Sequence, residues 1–377
     1  MAAPQIANLQ PDTASQLMLM PLASFPRMRA LTWDKNVLYT SRGYDLLRAT
    51  VKANTIKWEK VAFYAPTWWR TVSASTRLSY RLLRDGFHAL AVLSSGHLVA
   101  AVPGAIVTLP PGEGEFRLSH RILRGTRPLH FTVTPDDHVY WGEYFDNAAR
   151  NEVHVYVSTD YGATWHVAYT FPKRTIRHVH NIIYDRWANC LWVLTGDRGN
   201  ECRIIRASCD FRNTEVVIAG DQQARSAALV PDPDGVYFST DTPLQKNHIY
   251  LLDRGGKLTS LAKLSSSSIY GCRLEQAIFF STMVEPSAVN RDRHARLYGA
   301  LNGIDWHPLL SWKKDAWPPR LFQYGNVFLP DGNNTSGVLA LSTIAVQPGD
   351  LDTSVWSVRS HVDLQDNYQT GIPRSNC

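Results

Sequence analysis

One pattern constrains this chain more than any other. An apolar strand, a tight turn and a second apolar strand ending in a small or acidic cluster return at intervals of roughly 40 to 60 residues, the period range of propellers and solenoids. The copies begin near Arg29 (RALTWDKNVLYTSRG), His88, Leu129, His178, Arg225, Ser268 and Arg320. Third and fourth strands are readable behind several of them, as in EVHVYVS then ATWHVAYTF. Seven such units predict an all-β fold, a seven-bladed β-propeller of four-stranded antiparallel blades. Six or eight blades stay open, because unit edges are read only to within a few residues. Residues 28–377 then form a single domain, and residues 1–27 are a lead-in or a strand that closes the ring.

Composition fits many short strands joined by tight turns: the 377 residues include 12 Trp, 16 Tyr, 13 Phe, 23 Gly and 21 Pro. The formal charge of +6 favours anionic partners. The chain has no Lys-rich run, zinc-finger spacing or RNA-binding aromatic signature, so an acidic oligo- or polysaccharide is expected rather than nucleic acid, against the plain alternative of an ordinary basic surface. Five cysteines form no C-x-x-C pair and read as buried free thiols. No apolar run approaches the roughly 20 residues that cross a bilayer, so no membrane span is expected. The compartment stays open, either cytoplasmic or exported with its leader removed, and so does the oligomeric state. G-x-S-x-G, P-loop, G-x-G-x-x-G after a strand and H-E-x-x-H are all absent.

Propeller geometry places the end of each second strand and the start of each first strand around one channel mouth. Second-strand ends supply Glu143 in WGEY, Asp197 in TGD, Asp241 in STD and Glu285 in MVEP, about one repeat apart, with Asp331 continuing the series. First-strand starts supply Arg27, Arg127, Arg177, Arg225 and Arg320, with His130, His178 and His180, and Tyr144 and Asn181 lie beside them. Inter-blade salt bridges would use the same residues. His178 and His180 are two apart on a strand and point to one side, a spacing that can ligate a metal with Asp197 or Glu143. A hydrogen-bonded structural histidine is the commoner use of such a pair, so no metal ligand is assigned. The reading requires no cofactor and leaves room for a structural calcium.

Two reactions suit these groups. Hydrolysis needs two carboxylates flanking a glycosidic bond, here Glu143 and Asp197. β-Elimination from a uronic acid needs a base, an acid and a guanidinium on the carboxylate, here His130, His178, His180, Tyr144 and Arg177. Arg127, Arg177, Arg225, Asn181, Asp241, Glu285 and Arg320 would hold the substrate. A non-catalytic glycan-binding or protein-interaction propeller is the alternative. Trp68, Trp69 and Trp317 are read as core or rim packing, or as sugar-stacking platforms.

Residues 158–165 read STDYGATW. Asp160 can accept from turn N–H groups, Gly162 can take a positive φ and Trp165 can pack beneath the loop, which makes a hairpin cap. The pattern S-x-D-x-G-x-T-W also resembles the Asp box of sialidase-like β-propellers, and SCDFRNTE from Ser208 resembles a degenerate copy. The resemblance implies a carbohydrate-active propeller, a glycoside hydrolase or polysaccharide lyase whose arginines bind an acidic sugar.

Overall fold

Seven sheets, each built on four antiparallel strands and two of them extended by short added strands, arrange around a central channel in the computed structural model, which describes residues 5–6, 17–51 and 55–360. Blade 1 spans Arg29–Lys35 to Glu59–Phe63, blade 2 Ala89–Val92 to Arg117–Arg121, and blade 3 Thr132–Val133 to His166–Phe171. Blade 4 runs from His178–Asp185 to Thr214–Ala219, blade 5 from Ser226–Asp232 to Leu258–Leu264, and blade 6 from Ser268–Leu274 to Ile304–Lys314. Blade 7 combines Asn326–Phe328, Val338–Ile344 and Thr353–Ser360 with an outermost strand, Leu17–Phe25, from the other end of the chain. Six of the seven expected unit starts therefore coincide with innermost strands to within a few residues, and the seventh, near Arg320, precedes its strand at Asn326–Phe328.

The burial pattern explains why these residues form blades. A second strand is covered on both faces by neighbouring blades, so it reads as a continuous apolar run rather than an alternating one. Leu98–Val102, Cys190–Gly196 and Ala277–Thr282 are buried at every position. Outermost strands such as Thr214–Ala219 stay largely exposed. Seven apolar clusters fill the seven interfaces between adjacent blades, with no single central core.

Two features depart from the repeat. Between blades 1 and 2 the chain forms two short helices, Trp68–Ser73 and Arg77–Leu83, which a four-stranded repeat does not include. Trp68 is 79 % exposed there, so it is not core packing. After Phe328, residues Asp331–Asn334 leave blade 7 and pair in parallel with the innermost strand of blade 1. Asp331 therefore lines the channel and does not end a second strand. The free thiols Cys190 and Cys202 are buried, Cys209 and Cys272 are half-buried, and Cys377 lies outside the described residues.

Residues 158–165 connect the third and fourth strands of blade 3, on the face away from the ends of the second strands. Asp160 accepts from Thr164 N at 2.9 Å and from Thr164 Oγ1 at 2.6 Å, and Ser158 Oγ donates to it at 2.8 Å. Gly162 takes φ +84°. Ser208 and Asp210 repeat part of this turn in blade 4. No helix among the described residues is long and apolar enough to cross a membrane.

Candidate functional site at the channel mouth

The innermost strands of blades 1, 4, 5 and 6 share a register shift near their first residues, at Ala30/Thr32, Val179/Asn181, Ser226/Ala228 and Ser268/Tyr270. A bulge re-aims a side chain, and the inserted residue in blade 4 is His180. Its ring lies over Gly196, where a Cβ would come within 2.4 Å of His180 Cε1. That glycine lets the ring reach Asp197, the next residue along. His180 Nε2 is 3.1 Å from His178 Nε2 and 3.2 Å from Asp197 Oδ1, and His178 Nε2 is 3.4 Å from that same oxygen.

Around this trio the expected carboxylates of successive blades do converge. Arg225 reaches Asp197 Oδ1 at 3.3 Å and Asp241 Oδ2 at 3.5 Å, while Arg177 holds Asp197 Oδ2 at 3.0 Å and also pairs with Asp146. Ser267 donates to Glu285 at 3.1 Å. Tyr144 packs its ring 4.3 Å from that of His178, and burial, with Asp241 and Asp197 adding to it, pushes its phenol up to about 12. Burial raises the Asp241 carboxyl despite Arg225. Asp197 is held far below the usual carboxylate range: burial opposes its charge, and its contacts with His178 and His180 together with the Arg225 charge outweigh that. A cavity of about 360 Å³ opens on Tyr144, Asp146, Arg177, His178 and Asp197.

Other expected site residues lie elsewhere. Glu143 is 3 % exposed and turned away from this cavity: Arg124 grips both its oxygens, and His154 N donates to it at 2.8 Å. The alternation of the strand sends Glu143 to the side opposite Gly142, whose own position faces Val179 of blade 4. The proposed carboxylate pair with Asp197 is not assembled. Asn181 caps the bulge and donates to Ala227 O at 3.0 Å, so it joins blades 4 and 5. Arg320 sits exposed on the helical turn Pro319–Phe322, because the innermost strand of blade 7 begins only at Asn326. His130 faces Asp331 at 2.9 Å and packs against Tyr270, in a different part of the channel lining.

That second part joins the expected Arg127 to Arg29, Arg84 and His88, which sequence reasoning did not assign to the site. Arg29 stacks on Phe328 with 4.1 Å to the ring centroid and donates to His88 Nδ1 at 3.3 Å and His88 O at 3.2 Å. Arg127 forms no ion pair among the described residues, and burial, then the charges of Arg29 and Arg84, push its pKa down to about 10. Neither Arg29 nor Arg84 has a carboxylate within ion-pair distance among the described residues. Beside them a groove of about 830 Å³ runs between blades 7 and 1 under the two helices, lined by Arg27, Arg29, Arg42, Tyr44, Tyr80 and Phe328 among others. The repeat starts near Arg29 and His88 were the only signal in the sequence.

Comparison with known proteins identifies the fold. A WD40 β-propeller domain of Doa1 superposes with a TM-score of 0.54 at 12 % identity, covering 92 % of this chain and 97 % of that one. A chain of a mitotic checkpoint complex gives 0.52 at 9 % identity, with 95 % and 100 % covered. A chain of a nidogen/laminin complex gives 0.49 at 12 %, with 79 % and 97 % covered. No protein-family model matches, and no curated protein matches. The chain is a seven-bladed β-propeller, and its likeness to the Asp box stands on the local turn alone.

Proposed function

We propose that this propeller is a binding module that holds an anionic oligosaccharide at its channel mouth without cleaving it. The observation that carries the reading is the group Arg29, Arg84 and Arg127, brought together with no carboxylate partner among the described residues. Charges of one sign repel, so a ligand anion between these guanidinium groups gains what the protein itself does not supply. Guanidinium forks match carboxylate and sulfate groups, and the half-buried Tyr64 and Tyr80 of the neighbouring groove are aromatic surfaces of the kind sugar rings pack on. Binding is favoured over catalysis because each candidate base already has a partner. His130 faces Asp331, the Nε2 atoms of His178 and His180 face Asp197, and Glu143 is enclosed by Arg124.

The test is calorimetric titration with an oligouronide and with its neutral reduced counterpart. Binding of the charged form alone is expected, weakening with salt. Arg127→Met should weaken it at least tenfold, about 1.4 kcal/mol, while leaving the folded protein at least as stable, since a half-buried cation with no ion-pair partner among the described residues is removed. Equal affinity for both sugars, or new reducing ends or unsaturated products on incubation, refutes the reading.

A further inference from the structure

We propose that His178, His180 and Asp197 form a binding site for a divalent transition-metal ion, with zinc the best fit to the donors. The argument begins with tautomers. His178 Nδ1 lies 3.0 Å from Phe145 O, and His180 Nδ1 lies 2.9 Å from Ser226 O. A carbonyl oxygen only accepts, so both Nδ1 atoms carry the proton and donate it. In the neutral rings both Nε2 atoms then present lone pairs, and they do so to each other and to a carboxylate oxygen. Three acceptors at 3.1, 3.2 and 3.4 Å repel one another unless a cation sits among them.

The size of the triangle selects the cation. Zinc holds imidazole nitrogen and carboxylate oxygen at about 2.0–2.2 Å, and an ideal tetrahedron of that radius has edges of about 3.3–3.6 Å. The observed edges lie at and just below that range, and the two imidazoles exclude the all-oxygen preference of calcium. Both histidines are nearly inaccessible, 5 % and 4 % exposed, and their Nδ1–H···O=C bonds are the outer-shell support that ligating histidines use to fix ring orientation. Arg177 donates to the other oxygen of Asp197 at 3.0 Å and holds the carboxylate in place. The fourth position would open toward the 360 Å³ cavity beneath Tyr144 and Arg177. The inference does not depend on the anion-binding reading: the two sites share no residue.

The experiment uses the full chain, stripped with a chelator and titrated with zinc against a competing chromophoric chelator. One zinc per chain is expected, with a raised melting temperature in excess zinc. His178→Gln/His180→Gln should weaken binding by at least about 100-fold, beyond the loss caused by removing an outer-shell partner alone. Cobalt(II) in the wild-type chain should give the visible absorption of a tetrahedral site, a readout that stands even if the double variant fails to fold. Zinc uptake equal to that of a folded double variant, or a cobalt spectrum of octahedral aqua type, overturns the proposal and assigns a shared proton to the contact instead.

Discussion

His88 shows how one neutral side chain ties stability to the charges around it at the mouth. Arg29 can only donate, so His88 Nδ1 accepts and its Nε2–H is donated to Arg84 O at 2.7 Å, which makes the ring neutral. Burial first, then Arg127 and Arg29, hold its pKa well below that of a free imidazole. Protonation is therefore easier in the unfolded chain than in the folded one. The stability that His88 contributes is complete above the unfolded pKa and is lost as pH falls from there toward the lower folded value. The loss proceeds at up to about 1.4 kcal/mol per pH unit below about pH 6.5. Urea unfolding of wild type and His88→Gln at about pH 7.5 and about pH 5.5 should show the wild type losing more on acidification. Parallel losses in the two proteins would show that His88 is not the group that titrates. His180 is a neighbouring case by cause, its pKa lowered mainly by burial, although Asp197 opposes the shift.

At the scale of elements, the two helices between blades 1 and 2 are the feature that the repeat pattern could not reveal. They are short, their apolar residues Trp68, Val72, Leu78 and Leu82 are exposed, and tertiary contacts decide their placement over any local periodicity. Arg81 does most of the anchoring. It is fully buried, pairs with Asp315, reaches Asp350 at 3.2 Å and Phe322 O at 3.0 Å, and stacks on Trp317 at 4.6 Å. Trp317 is thus rim packing, one of the two roles its sequence context allowed. Breaking a buried pair by removing one partner costs about 3–5 kcal/mol, and Arg81→Met should fall near about 3 because Lys314 still neutralises Asp315. Hydrogen exchange should show residues 68–83 opening far more readily in the variant while the blades stay protected. Unchanged exchange would mean that the helices are held by something else. The bulge at Val179/Asn181 was equally hidden, since it belongs to strand pairing and leaves no mark on composition.

Across the whole molecule, the ring is closed by Leu17–Phe25 pairing with Thr353–Ser360, which brings segments from opposite ends of the sequence together in blade 7. Leu17 and Leu19 also join the apolar cluster between blades 6 and 7. Deleting residues 17–25 removes a strand and opens an edge, so calorimetry should show the single cooperative transition broaden or split and fall in temperature. A sharp, unshifted transition would show that closure contributes little. Period and burial are local properties, written in apolar runs and turn residues, and from these alone the sequence determined the seven blades, six of their first strands and the convergence of Asp197, Asp241 and Glu285. Tertiary structure alone decided partners. Strand alternation turned Glu143 toward Arg124, the late start of the last innermost strand left Arg320 outside, and the crossing of residues 331–334 gave His130 to Asp331. A side chain's direction depends on bulges and on what the neighbouring blade presents, and neither is encoded within its own repeat.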